Sequence, residues 1–190
     1  LLDLPSSGEY WLNNQNTTQL SDTQLAKMRL EHIGFVFQSF HLIPRLTAAE
    51  NIEMPMILAG IAKKERRQRV KQALESVNLI DRATHKPEQL SGGQMQRIAI
   101  ARAMIMRPQI LLADEPTGNL DSKTTNDIMV LFDELHQQGH TIILVTHEKE
   151  IADHCQRVIR LVDGEVDSDI NKNSAVDVGT KQESARGVYA

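Results

Sequence analysis

The hydrophobic positions of this chain follow two periods. Three short runs are apolar at consecutive positions: Ile33-Gly34-Phe35-Val36-Phe37, Ile110-Leu111-Leu112-Ala113 and Thr141-Ile142-Ile143-Leu144-Val145. That is the pattern of strands buried on both faces. Between them the spacing becomes helical. Ser21 with Gln24 forms a capping box that opens a helix to about Leu30. Thr47 with Glu50 caps a segment holding Ile52, Met54, Met56, Ile57 and Leu58, in which Pro55 predicts a kink or a break. Residues 63–78 place Val70, Ala73, Leu74 and Val77 on one face. The other face carries Lys63, Lys64, Arg66, Arg67, Arg69 and Lys71, and reads as solvated in preference to a contact with anionic lipid. Helices also follow over residues 94–106 and around Ile128, Leu131, Phe132 and Leu135, the latter closed by Gly139 as a C-cap.

The ends are less regular. Leu1-Leu2-Asp3-Leu4 reads as the last turn of a helix halted at Pro5, followed by a short strand over 9–12 and a polar turn over 13–18. Residues 157–162, Asp163-Gly164 and 165–166 predict a hairpin with a type I′ turn. Residues 168–190 are polar without a sustained period, and a disordered tail is expected there. Apolar strands alternating with amphipathic helices predict an α/β fold: a mostly parallel sheet with helices on both faces and a helical segment, about 39–106, embedded between two strands.

Composition narrows the class. The 190 residues carry a formal net charge of −4 and only 4% aromatics, so there is no basic footprint for general nucleic-acid binding. The single cysteine, Cys155, excludes an internal disulfide and fits a reducing compartment. No apolar run approaches the roughly 18–20 residues that span a bilayer, and the start lacks the basic flank of a signal peptide. A soluble chain is expected, with any membrane role arising through a partner.

Candidate chemistry collects at the strand ends, where parallel sheets bind ligands. The three runs end in Gln38, in Asp114-Glu115 and in Thr146-His147. A carboxylate is a hard oxygen ligand for magnesium, and a second can polarise a water aimed at a terminal phosphoryl group. The alternative for Asp114 and Glu115 is a pair that caps the next turn. Gln38 offers an amide to metal or water, or else bonds loop backbone. His147 can donate to a γ-phosphate, or be a satisfied structural residue. Leu90-Ser91-Gly92-Gly93-Gln94 combines adjacent glycines with a capping box, so it is either a phosphate site at a helix start or a structural cap. Asp121 either bonds backbone at a subunit contact or starts a helix as its cap.

The order and spacing of Gln38, Leu90-Ser91-Gly92-Gly93-Gln94, Ile110-Leu111-Leu112-Ala113-Asp114-Glu115, Asp121 and His147 resemble the ATP-binding subunit of an ABC transporter. They match its Q-loop, signature motif, Walker B, D-loop and switch histidine. Phe37-Gln38-Ser39-Phe40-His41-Leu42-Ile43-Pro44 and Ala113-Asp114-Glu115-Pro116-Thr117-Gly118-Asn119-Leu120-Asp121 resemble the lipoprotein-releasing and macrolide-exporter branch. The resemblance covers residues 1–167 and implies a P-loop NTPase-type domain working as a head-to-tail dimer with ATP and Mg2+. It implies Glu115 and His147 as catalytic, and Asp114 and Gln38 as metal-binding. Gln38, Ser91, Gly92, Gly93, Gln94, Asp121 and His147 would contact nucleotide. It also implies an integral membrane permease as partner, no nucleic acid, and a cytoplasmic position on the inner face of the plasma membrane. Phe40, Leu42, Ile43 and Met54 would suit a groove for a coupling helix, or simply form subdomain core.

No Gly-x-x-x-x-Gly-Lys-Ser/Thr occurs in the sequence. The family places that P-loop, and its adenine-stacking aromatic, just upstream of Leu1, so an N-terminally truncated sequence is expected. As written, the chain is expected to be poorly stable and to bind ATP weakly. Two competing classes are a non-transport ABC ATPase acting on DNA or ribosomes, and a non-catalytic subunit that lends its signature to a partner's nucleotide. No long coiled-coil insertion separates Gln38 from Ser91, which disfavours the DNA-acting kind, and only one ATPase unit is visible, which disfavours the ribosomal kind. The presence of Glu115 and His147 disfavours the second.

Overall fold

The computed structural model describes Asp3 and residues 5–172. The expected helical turn at Leu1-Leu2-Asp3-Leu4 therefore lies outside the described residues except for Asp3, as does all but the start of the expected tail. The chain divides into two compact units, the second beginning at Glu148.

The first unit opens with a minimal hairpin, β1 (Trp11–Leu12) against β2 (Gln15–Asn16). Its turn places Asn13 and Asn14 at φ 49° and 59°, a left-handed pair that asparagine tolerates better than most residues. The strand expected over 9–12 begins only at Trp11. The polar turn expected over 13–18 is cut short at Asn14, because residues 15–16 pair back as β2 and Thr17–Gln19 form a single 3-10 turn. Ser21 and Gln24 close their capping box and start α1 (Asp22–His32). It runs directly into β3 (Ile33–Phe37).

Between β3 and the next strand lie α2 (Ala48–Leu58), α3 (Lys63–Ser76) and α4 (Gly92–Met104). These three helices pack on one another, and α4 also packs on β3. Ile52, Met56, Leu74 and Ile98 are all at most 1% exposed, each such side chain contributing roughly 1.5–3 kcal/mol by burial. Pro55 does not break α2. The ring removes the N–H that would have bonded Asn51, but Ile52 and Met56 on either side are fully buried, and their packing holds the helix through the gap. Asn51 is itself buried and bonds the Ile43 N–H and the carbonyls of Ile43, Leu46 and Thr47. It fixes the approach to α2.

β4 (Ile110–Asp114), α5 (Ser122–Gln137) and β5 (Thr141–Val145) complete the unit. The sheet is parallel with order β3-β4-β5, as the consecutive apolar runs predicted. Its two faces are covered unequally. Gly34, Val36, Leu111 and Ala113 are buried, with α4 lying over Gly34. Ile143 and Val145 of the alternate set remain 46% and 57% exposed. Gly139 follows α5 at φ 96°, the C-cap conformation its position predicted.

The second unit contains α6 (Lys149–His154) and the antiparallel pair β6 (Arg157–Val162) and β7 (Glu165–Asn171). Asp163 and Gly164 both have positive φ, as a type I′ turn requires. β7 continues to Asn171, past Asp167 where a tail was expected. A polar strand of this kind is invisible to hydrophobic periodicity. It is held by backbone pairing and by the Arg157 guanidinium, which donates to both Asp169 carboxylate oxygens at 2.8 and 2.6 Å.

Candidate nucleotide site

Register places the expected residues on one edge. Phe37, Asp114 and Val145 are aligned across the three strands, so Gln38, Glu115 and Thr146 all follow at the carboxyl end. Glu115 has φ 45°, a left-handed conformation that costs a non-glycine residue about 1–2 kcal/mol. The turn aims its carboxylate at β5. There Oε1 accepts from the His147 backbone N–H at 3.0 Å and lies 2.6 Å from His147 Nδ1, while Thr146 Oγ1 donates to Oε2 at 3.3 Å. An ionised carboxylate only accepts, so Nδ1 carries the hydrogen. The Glu115 side chain is 19% exposed and that of His147 82%, so the carboxylate is held behind an open ring.

Asp114 is exposed at the end of β4. Gln38 is its neighbour beyond β3. The Gln38 carbonyl accepts from Asn119 Nδ2 at 3.1 Å, and its amide lies over Gly118, where a Cβ would approach Nε2 to 2.6 Å. Glycine at 118 thus makes room for the Gln38 side chain. Among the described residues no group of three or more His, Cys, Asp or Glu forms a metal cage. One exposed carboxylate beside one amide fits magnesium instead, an ion that keeps water and phosphate oxygens in its shell.

The Ser-Gly-Gly segment differs in one respect from a side-chain-free loop. Gly92 and Gly93 are the first two residues of α4, and Ser91 is its N-cap. Gln94 N–H donates to Ser91 Oγ at 3.3 Å and Ser91 N–H to Gln94 Oε1 at 3.0 Å, the expected reciprocal box. Neither glycine has positive φ. Their small size is used against neighbours: a Cβ on Gly92 would sit 3.3 Å from Leu120 and 3.7 Å from the Phe40 ring. One on Gly93 would sit 2.4 Å from Thr124 Cγ2. Structural cap and phosphate-site readings are compatible here, because the first-turn N–H groups of Gly92 and Gly93 have no intrahelical acceptor.

Asp121 is the N-cap of α5. It accepts from Thr124 N–H at 3.0 Å and from Thr124 Oγ1 at 2.6 Å, and these bonds, the hydroxyl's foremost, hold its carboxyl below the usual range.

Sequence reasoning missed several residues of this site. Gln96 is fully buried and donates to the Pro116 carbonyl at 2.6 Å, while its Oε1 has no partner among the described residues. A glutamine four residues before Ile100, on the apolar face, was the available signal. Arg102 donates to the carbonyls of His41 at 2.6 Å and Phe40 at 3.0 Å. Nothing local in the sequence marks it. Asn119 and Thr124 carry no role in the sequence reading, and Thr146 figures there only as a strand-end polar residue beside His147.

The Glu–His pair, the exposed aspartate and the glutamine thus share one sheet edge, and the capped Ser-Gly-Gly turn opens α4. A family profile described as "ABC transporter" matches residues 2–118, and the chain belongs to that family. The match stops before Asp121 and His147. The chain is 53% identical over 165 residues to the "Uncharacterized ABC transporter ATP-binding protein YvrO" of Bacillus subtilis (strain 168), covering 87% of this chain and 72% of that one. It is 49% identical over 168 residues to the "Macrolide export ATP-binding/permease protein MacB" of Burkholderia pseudomallei (strain 1710b), covering 88% of this chain but only 26% of that protein. Among solved structures it superposes at a TM-score of 0.80 and 46% identity on the dimeric post-hydrolysis state of the ATP-binding cassette MJ0796 bound to ADP and Pi. That match covers 90% of this chain and 76% of the other.

Proposed function

We propose that this chain supplies the ATP-hydrolysing half-site of an ABC exporter and works as a head-to-tail dimer on a membrane permease. The observation that carries this reading is the Glu115 carboxylate, held by His147 and Thr146 beside the exposed Asp114. Glu115 takes the proton of a water attacking the terminal phosphoryl group, and His147 keeps that carboxylate aimed. Asp114 and Gln38 would hold magnesium, which when bound neutralises charge on the phosphates. Ser91 Oγ and the N–H groups of Gly92 and Gly93 face the γ-phosphate of nucleotide held by the other protomer, with Gln94 fixing Ser91 and Asp121 placed near the dimer contact. That the similar MJ0796 cassettes are dimeric supports a pairing of two chains.

Residues 39–106 act as the subdomain that meets the permease. Phe40, Leu42 and Met54 are half-buried and Ile43 is 40% exposed, which suits an apolar groove for a coupling helix. No helix among the described residues is long and apolar enough to cross a membrane. The permease partner is the proposed attachment at the inner face of the plasma membrane. The similarity to MacB, whose name joins ATP-binding and permease functions, supports an export role.

The test is Glu115→Gln in the full-length protein. Turnover is expected to fall at least about 100-fold, the usual scale for a general base, with ATP binding retained. Unchanged turnover would remove Glu115 from the base role.

A further inference from the structure

The loop after Gln38 is shaped by side chains from three other elements. Asn119 holds the Gln38 carbonyl, Asn51 holds residues 43–47, and Arg102 of α4 holds Phe40 and His41. Phe40 and His41 are consecutive left-handed residues, at φ 59° and 46°. Their carbonyls both turn toward one guanidinium, an arrangement that an unconstrained chain would not keep. Arg102 is half-buried, and among the described residues no carboxylate lies within salt-bridge distance of it. Burial alone pushes its pKa below the usual arginine range. The cation is therefore committed to two backbone oxygens.

Phe40 is gripped twice by the same helix. Its carbonyl meets Arg102, and its ring lies within 3.7 Å of the Cβ position of Gly92. Ten residues of α4 separate these points, about 15 Å of rise; Arg102 leans back toward the N-terminus and the Phe40 side chain covers the remainder. Helix α4 thus bears on Phe40 at two points, through the glycines that begin the helix and through Arg102.

We propose that Arg102 is a positioning residue for Gln38: by clamping the Phe40 and His41 carbonyls it fixes the Gln38 loop to the helix that starts at Ser91. The consequence is mechanical. A shift of Ser91-Gly92-Gly93 toward a phosphate moves the loop bearing Gln38 with it, and a displaced loop moves the helix start. This rests on the reading of Gln38 as an active-site residue.

The experiment is a double-mutant cycle in the full-length protein, measuring kcat, KM for ATP and the half-saturating magnesium concentration of Arg102→Ala, Arg102→Lys, Gln38→Ala and the double variants. Arg102→Ala is expected to lower kcat about tenfold or more, as misplacement by about an ångström does, and to raise the magnesium requirement. KM for ATP should stay within about twofold. Arg102→Lys, which keeps a cation for one carbonyl, should recover part of the loss. In a Gln38→Ala background, Arg102→Ala should cost little more, because both changes remove one function. Multiplying effects, or an Arg102→Ala protein with wild-type kcat and magnesium dependence, would overturn the proposal. If Arg102→Ala fails to fold, the cycle with Arg102→Lys decides by the same criterion. If Gln38→Ala leaves kcat unchanged, the reading of Gln38 falls, whereas an effect of Gln38→Ala without one of Arg102→Lys or Arg102→Ala refutes only the clamp.

Discussion

Adding one methyl group at Gly93 separates the packing role of the signature glycines from any role toward a ligand. The new Cβ would lie 2.4 Å from Thr124 Cγ2 and 3.7 Å from Thr124 Cβ. The first contact is far inside van der Waals distance. Threonine is stiff at χ1, and rotating it away would break the 2.6 Å bond from its hydroxyl to Asp121. The strain must therefore separate α4 from α5 or uncap α5. Overpacking of this kind costs roughly 1–3 kcal/mol, and the gain in helix propensity from glycine to alanine returns at most about 1 kcal/mol. Gly93→Ala should thus lose about 1–2 kcal/mol, lowering Tm by about 2–8 °C at this chain length. Thr124→Ser removes the offending methyl and keeps the hydroxyl. Gly93→Ala should consequently cost under about 0.5 kcal/mol in the Thr124→Ser background, a coupling readable by urea denaturation of the four full-length proteins. Equal costs in both backgrounds would refute the packing argument. An ATPase defect that persists in the relieved double variant would belong to the ligand.

Gly118→Ala should behave in the opposite way. Its Cβ meets the far end of the flexible Gln38 side chain at 2.6 Å, so the amide moves, stability is nearly kept and kcat falls. Differential scanning fluorimetry beside steady-state ATPase rates checks both. Gln96→Leu should destabilise the fold by about 1–3 kcal/mol, because the Pro116 carbonyl loses a buried donor; a neutral result in urea denaturation would show that the unpartnered Oε1 offsets the bond. Asp121 has a folded pKa below its unfolded value. Its stabilisation is therefore fully present above about pH 4 and is lost as pH falls through the depressed value. The stability gap between wild type and Asp121→Ala should narrow on acidification across that window, as measured by urea midpoints against pH.

Local signals carried most of the architecture. The three buried strands, the capping boxes at Ser21, Thr47 and Ser91, the Gly139 C-cap and the Asp163-Gly164 turn each depend on residues a few positions apart. Pairing them into one sheet edge needed only the rule that parallel strands end together. What was not legible depends on distant neighbours. The packing role of the adjacent glycines is one such feature: the space a Cβ would take at each is bounded by Thr124, Leu120 and Phe40, which lie far away in sequence. Arg102 and Gln96 look like ordinary helix residues until their acceptors, 61 and 20 positions away, are folded against them. Pro55 shows the same limit: a local breaker was overruled by the burial of Ile52 and Met56.

In the proposed dimer, Ser91-Gly92-Gly93 of one chain closes on nucleotide bound to another. Light-scattering mass of the full-length Glu115→Gln protein tests it most directly. Addition of ATP and magnesium should double the mass, and ADP should leave it unchanged. A protein that binds ATP in this variant and still remains a monomer would contradict the account.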